Sequence, residues 1–128
     1  MSYLVDTDWV IDGLSGRRET LTFLEERRDE GLGVSIVTLG ELYEGAYGSP
    51  DPEPHIASVE QFLRLFTVLP LSDASMQHFG RLRALLRQQG NLIPDFDLLI
   101  AATALEHDIV LLTRNRRHFE RIPEIQLL

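Results

Sequence analysis

Cysteine and lysine are both missing from this 128-residue chain, and all twelve of its basic side chains are arginines. The first absence excludes disulfides, thiol nucleophiles and zinc sites built on thiolates. The second counts against enzymes that use an ammonium group to offset a phosphorylated carboxylate. Long apolar runs are lacking as well. The most apolar stretch lies within GNLIPDFDLLIAATA (90–104) and, at about a dozen residues, is too short to cross a bilayer. The amino-terminal MSYLVDTDWV has no basic segment leading into an apolar run, so no signal peptide and no membrane association are expected, and a cytoplasmic protein is the default. Internal repeats, low-complexity tracts and heptads are also absent.

What is present fits a single domain spanning residues 1–128, long enough to bury roughly two-thirds of the surface its unfolded chain would expose. The net charge of −8 argues against a protein that coats nucleic acid. It does not exclude a nuclease, because carboxylates that bind divalent cations contribute to that figure and the metal inverts the local sign. The basic residues are unevenly placed: Arg114, Arg116, Arg117 and Arg121 crowd one carboxy-terminal stretch.

In chain order, Tyr3-Leu4-Val5 predicts a short buried strand ending at Asp6-Thr7-Asp8, with a short helix after it that stops near Gly13 to Gly16. Arg17 to Glu30 fits a surface helix, Val34 to Val37 a second strand, and Leu39 to about Tyr47 a helix opened by Thr38. Glu41 stands three residues after Thr38, the spacing of a capping box. GSPDPEP (48–54) is a loop. A helix over Ile56 to Phe66, a strand over Thr67 to Leu71 and a helix capped by Ser72 follow, with His78 on that last helix's surface. Gly90 then leads into a helix that is apolar nearly all round, hence buried, with Asp95 and Asp97 at its mouth. Ile109 to Leu112 is a fourth strand, and Ile125 to Leu128 adds a short edge strand. Strands alternating with helices imply an α/β fold with a mainly parallel sheet of four to five strands covered on both faces.

Parallel sheets gather their strand ends, and ligands bind at the carboxyl edge. Asp6 follows strand one, Glu41 follows strand two, Asp97 opens the core helix, and Thr113-Arg114-Asn115 follows strand four at the same edge. Each acid also has a plain structural use: Asp6 as a helix cap, Glu41 in the capping box, Asp95 and Asp97 at a positive helix end. Capping and cation binding are compatible. Converging carboxylates repel unless a cation sits between them, and hard oxygen ligands select Mg²⁺ or Mn²⁺.

LVDTDWVIDGL, SIVTLGELYEGA and IPDFDLLIAATALEHDIVLLTRNRRHF resemble the PIN-domain ribonucleases, and within them the VapC-type toxins of toxin–antitoxin pairs. The resemblance covers essentially the whole chain. It implies a three-layer PIN-like sandwich and a metal-dependent endoribonuclease that hydrolyses RNA with a Mg²⁺- or Mn²⁺-activated water. It also implies three partners: RNA, a VapB-type antitoxin and a second copy in a homodimer. The family's acids fall on Asp6, Glu41 and Asp97, as metal ligands and catalytic residues. Asn115, expected as a fourth catalytic residue, stands where many members have a fourth Asp, which removes a charge from a second metal position. His118 stands where an Asp often precedes the phenylalanine, here Phe119. Asp95 is an additional acid, expected as a cap or an outer partner of the site. Thr113, Arg114 and Arg116 are expected to contact the RNA, since guanidinium groups pair well with phosphate.

Two other functions compete. D-T-D after an apolar strand is similar to the nucleophile motif of haloacid-dehalogenase-type phosphatases, but the lysine those enzymes usually need is missing. A catalytically weak PIN domain acting as a binding or regulatory module is the non-enzymatic alternative, and loss of an acid would mark it. All three core acids are present.

Overall fold

The computed structural model describes residues 1–128. Four short strands, β1 (Tyr3–Val5), β2 (Leu32–Ser35), β3 (Thr67–Leu69) and β4 (Val110–Leu112), form one sheet in the order β3-β2-β1-β4. Every pairing is parallel, so all four carboxyl ends share an edge. Seven helices connect and cover them: α1 (Thr7–Leu14), α2 (Arg18–Glu26), α3 (Ile36–Tyr47), α4 (Pro52–Leu63), α5 (Asp73–Gln88), α6 (Asp95–His107) and α7 (Arg116–Phe119). No helix is long and apolar enough to cross a membrane.

Side chains on a strand alternate between faces, and this alternation divides the core. Leu4 and Leu111 pack with α5 and α6 through Leu82, Leu86, Leu98 and Ala101. Their neighbours Val5 and Leu112 pack on the other side with Val10, Leu24, Leu42 and Val59 from α1 to α4. The result is the expected three-layer α/β architecture, with both faces of a parallel sheet shielded from water. The edge strand expected over Ile125 to Leu128 shrinks to a single parallel bridge between Leu111 and Leu127.

The apolar helix is α6. Leu98, Ile100, Ala101, Ala102, Thr103 and Ala104 are all buried, as a helix apolar around its circumference should be. Gly90, at φ 65°, takes the left-handed conformation that ends α5.

Several boundaries differ from expectation, each for a local reason. β2 runs from Leu32 to Ser35, and α3 begins at Ile36 because the Ser35 hydroxyl caps it, accepting from Val37 N at 3.1 Å. Thr38 is therefore inside the helix and the Thr38–Glu41 capping box does not form. The loop after α3 stops at Asp51, because Pro52 suits the first helical position. The surface helix α2 ends at Glu26, and a 3-10 turn over Arg28–Glu30 replaces its last turn. Asp95 makes no capping bond at α6 and instead accepts from Arg83 Nε at 2.9 Å. Ser72 does cap α5, in a reciprocal box with Ser75.

Candidate active site

β1 delivers Asp6 to the carboxyl edge of the sheet. Its backbone N–H continues the ladder to Leu112 O at 2.9 Å, while its side chain turns to the helix that follows. Oδ1 accepts from Thr7 N at 2.8 Å, and Oδ2 accepts from the Thr113 hydroxyl at 2.7 Å. Asp6 thus caps α1 with one oxygen and holds the residue after β4 with the other. It is only 5% exposed and has no ion-pair partner. Burial pushes its pKa up to about 7; the Thr113 and Thr7 bonds oppose the rise, and the charges of Asp8 and Asp97 add to it.

Glu41 comes from α3. Its Oε1 accepts from Thr7 Oγ1 at 2.8 Å, and Thr7 Oγ1 lies 2.9 Å from the buried Thr38 Oγ1. The Thr7 proton is committed to Glu41, so Thr38 donates to Thr7. Burial raises the Glu41 pKa; the Thr7 bond opposes this, and the charges of Asp97, Glu44 and Asp8 reinforce it. Asp97 sits in the first turn of α6, where the helix end favours negative charge. Its Oδ2 is 2.7 Å from His118 Nδ1 and 3.5 Å from Asn115 Nδ2. A ring nitrogen offers one proton, and a carboxylate can only accept it. Asp8 completes the cluster: Oδ1 accepts from Trp9 N at 2.7 Å and Oδ2 from Arg114 N at 3.0 Å. Its pKa is raised by burial, against those two bonds and the Arg114 charge.

Asp6, Glu41, Asp97 and Asn115 thus stand at one edge, tied together through Thr7, Thr113 and His118. The residues expected at the RNA are placed differently. Thr113 turns its hydroxyl inward to Asp6. Arg114 Nε bonds Asp12 Oδ2 at 2.8 Å, its NH2 bonds Thr20 Oγ1 at 3.1 Å, and the guanidinium stacks 4.2 Å from the Trp9 ring centre. Arg116 reaches Leu128 O at 2.7 Å, and Arg121 reaches Asn91 O and Leu92 O. Among the four, Arg117 alone makes no hydrogen bond or ion pair through its side chain within the chain. Thr7, Thr38 and Asp8 hold hydrogen bonds within this cluster that the sequence analysis did not anticipate. The one available signal was a hydroxyl residue flanked by two acids, D-T-D.

The donor set fits a hard divalent cation. The three acids offer oxygen donors whose neighbours are hydroxyls, an amide and one imidazole, with no guanidinium on Asp6 or Glu41. No three acidic or histidine side chains stand close enough to make a closed cage. A cation that keeps several waters and binds through one or two carboxylates needs no such cage. A groove of about 820 Å³ lies elsewhere, between α1, α2 and α4, and holds none of these acids.

The PIN-domain family model matches residues 3–125. The chain belongs to the PIN-domain family. Among PIN-domain proteins it is similar to ribonuclease VapC2 of Haemophilus influenzae, 36% identical over 95% of this chain and 92% of the relative. It is also similar to the tRNA(fMet)-specific endonuclease VapC of Salmonella typhimurium, 32% identical over 99% and 96%. In three dimensions it superposes on VapBC2 from Rickettsia felis, bound to a DNA fragment from its promoter, with a TM-score of 0.95 at 28% identity, covering 100% of this chain and 98% of that one. VapBC-1 from nontypeable Haemophilus influenzae gives 0.89 at 32% identity, covering 100% and 97%. The chain is therefore a VapC-type PIN-domain protein, a ribonuclease family in which metal-dependent RNA cleavage is general. The phosphatase reading is set aside with that assignment.

Proposed function

We propose that this PIN-domain protein is an endoribonuclease of the VapC kind in which Asp6, Glu41 and Asp97 hold Mg²⁺ or Mn²⁺, directly or through water. The observation that carries the reading is the convergence of three carboxylates from β1, α3 and α6, with burial and mutual repulsion holding the pKa of Asp6 near 7 and raising that of Glu41. A divalent ion there would supply an activated water and neutralise charge on the phosphodiester. The chain's own groups do the rest. Thr113 and Thr7 fix the rotamers of Asp6 and Glu41, and Asn115 and His118 fix Asp97. Asn115 in place of a fourth acid favours one tightly held ion over two. Arg116 and Arg117, at the start of α7 beside Asn115, are the basic side chains assigned to the RNA phosphates; Arg117 has no partner within the chain, and Arg116 would exchange its bond to Leu128 O for one to phosphate.

The relatives' complexes support a VapB-type antitoxin as the partner that restrains this activity, and a homodimer in a cytoplasmic setting is part of the same proposal. The Salmonella relative's name makes tRNA(fMet) the first RNA to try. Purified protein with that tRNA and a panel of other RNAs, in Mg²⁺, in Mn²⁺ and in EDTA, tests the reading. Cleavage that EDTA abolishes and either metal restores is expected. Cleavage unaffected by EDTA contradicts it.

A further inference from the structure

We propose that Arg114 is a positioning residue, a strut that pins the 113–115 segment over the acids, and that it does not bind RNA phosphate. The proposal rests on the acids being the cleavage site. Arg114 lies between Thr113, which grips Asp6, and Asn115, which reaches Asp97. Its own side chain leaves in another direction, towards α1 and α2. There the guanidinium has three partners on two helices: Asp12, the Thr20 hydroxyl, which is 1% exposed, and the face of Trp9. Its backbone N–H is held as well, by Asp8.

The anchor is itself braced. Trp9 packs on Phe23 with ring centres 5.0 Å apart, and the Arg27 guanidinium lies over the Phe23 ring, 3.4 Å from its centre. Asp12 receives a second, exposed arginine, Arg17, at 3.3 Å. A planar guanidinium with a bidentate choice of acceptors and an aromatic face is a geometry lysine cannot reproduce. A side chain committed this way has little freedom to follow a phosphate. What it does instead is fix the backbone that sets the Thr113 hydroxyl against Asp6 and the Asn115 amide beside Asp97.

Trp9 is the only tryptophan in the chain, so its emission reports directly on whether Arg114 is docked. The experiment compares Arg114→Met, Arg114→Lys, Asp12→Asn, Thr20→Val and the Arg114→Met/Asp12→Asn double variant. It measures Trp9 emission and melting, kcat and KM for RNA cleavage, and RNA affinity across a salt series with Asp97→Asn added to prevent cleavage. The strut predicts a changed Trp9 emission in each Arg114 variant. It predicts kcat reduced about ten- to a hundredfold, as for other outer partners of metal sites, with KM and salt slope unchanged. Lysine should fail to rescue, Asp12→Asn and Thr20→Val should lower kcat in the same sense, and the double variant should be no worse than its worse parent. The opposite pattern overturns it: a raised KM and a salt slope reduced by about one in Arg114→Met, rescue by lysine, and wild-type kcat in Asp12→Asn and Thr20→Val. Should the wild type itself not cleave RNA, the acid-site reading fails on its own. Trp9 emission and the Arg114–Asp12 stability cycle would then still decide whether the strut exists.

Discussion

The Thr7 hydroxyl donates to Glu41 at 2.8 Å across 34 residues of sequence, joining the first turn of α1 to the middle of α3. The same residue's backbone N–H holds Asp6 at 2.8 Å. One residue, through its backbone N–H and its hydroxyl, therefore holds two acids on different elements.

Thr7→Val should separate them. It keeps the shape but leaves Glu41 and Thr38 without their partner, a loss of about 1–3 kcal/mol. Cleavage should fall roughly ten- to a hundredfold. Thr7→Ser retains the hydroxyl and should stay near wild type in both respects. Equal activity of the valine and serine variants would show that the bond has no part in the chemistry.

Glu41→Gln separates chemistry from helix capping. Ser35, not Thr38, caps α3, so Glu41 has no capping function to lose. The variant should melt at or above the wild-type temperature, because its neighbouring negative charges no longer repel it, and yet lose most activity. Ser35→Ala, by contrast, should cost about 0.5–2 kcal/mol of stability. Activity retained in Glu41→Gln would remove Glu41 from the site.

The pH dependence of stability follows from Asp6. Its folded pKa, about 7, lies above the ordinary 3.8, so between those values the folded state holds the proton more tightly than the unfolded one. Stability contributed by that proton is present at low pH and is lost as pH rises towards 7, at roughly 1.4 kcal/mol for each tenfold change in proton affinity. In EDTA, wild-type melting should fall across this range more than that of Asp6→Asn, and the variant should be the more stable of the two above pH 7. Added Mg²⁺ or Mn²⁺ should raise the wild-type melting temperature there and leave the variant little changed. A gap between the two proteins that does not vary with pH contradicts this.

For RNA binding, Arg116→Ala with Arg117→Ala should weaken affinity and flatten its salt dependence by about one unit of slope per lost contact. The salt series is run with cleavage blocked by Asp97→Asn. An unchanged slope would send the RNA path elsewhere.

Much of this was legible in the sequence because apolar periodicity and the ends of strands are local features. The circumference of α6 and the alternation of helices with short strands sufficed for the layers, and the strand-end rule brought Asp6 and Asp97 to one edge. The start of α3 was misplaced because Ser35 and Thr38 are equally good caps by type, and only packing decides between them: Thr38 is fully buried against Thr7. The direction of Arg114 was not legible at all. A run of arginines beside a cation site looks the same whether the guanidinium meets a phosphate or an aspartate, and Asp12, Thr20 and Trp9 lie about a hundred residues away in sequence.

Asp97 opens the buried helix and, among the three acids assigned to the cation, is the one whose charge acts on both of the others. The rate of RNA cleavage by purified Asp97→Asn in Mg²⁺, beside wild type prepared identically, bears most directly on the claim that these acids form the catalytic cation site. The predicted result is a folded protein with wild-type melting behaviour and a rate lower by more than roughly a hundredfold, beyond the usual cost of losing an outer partner. Cleavage at the wild-type rate, with contaminating nuclease excluded, would contradict it.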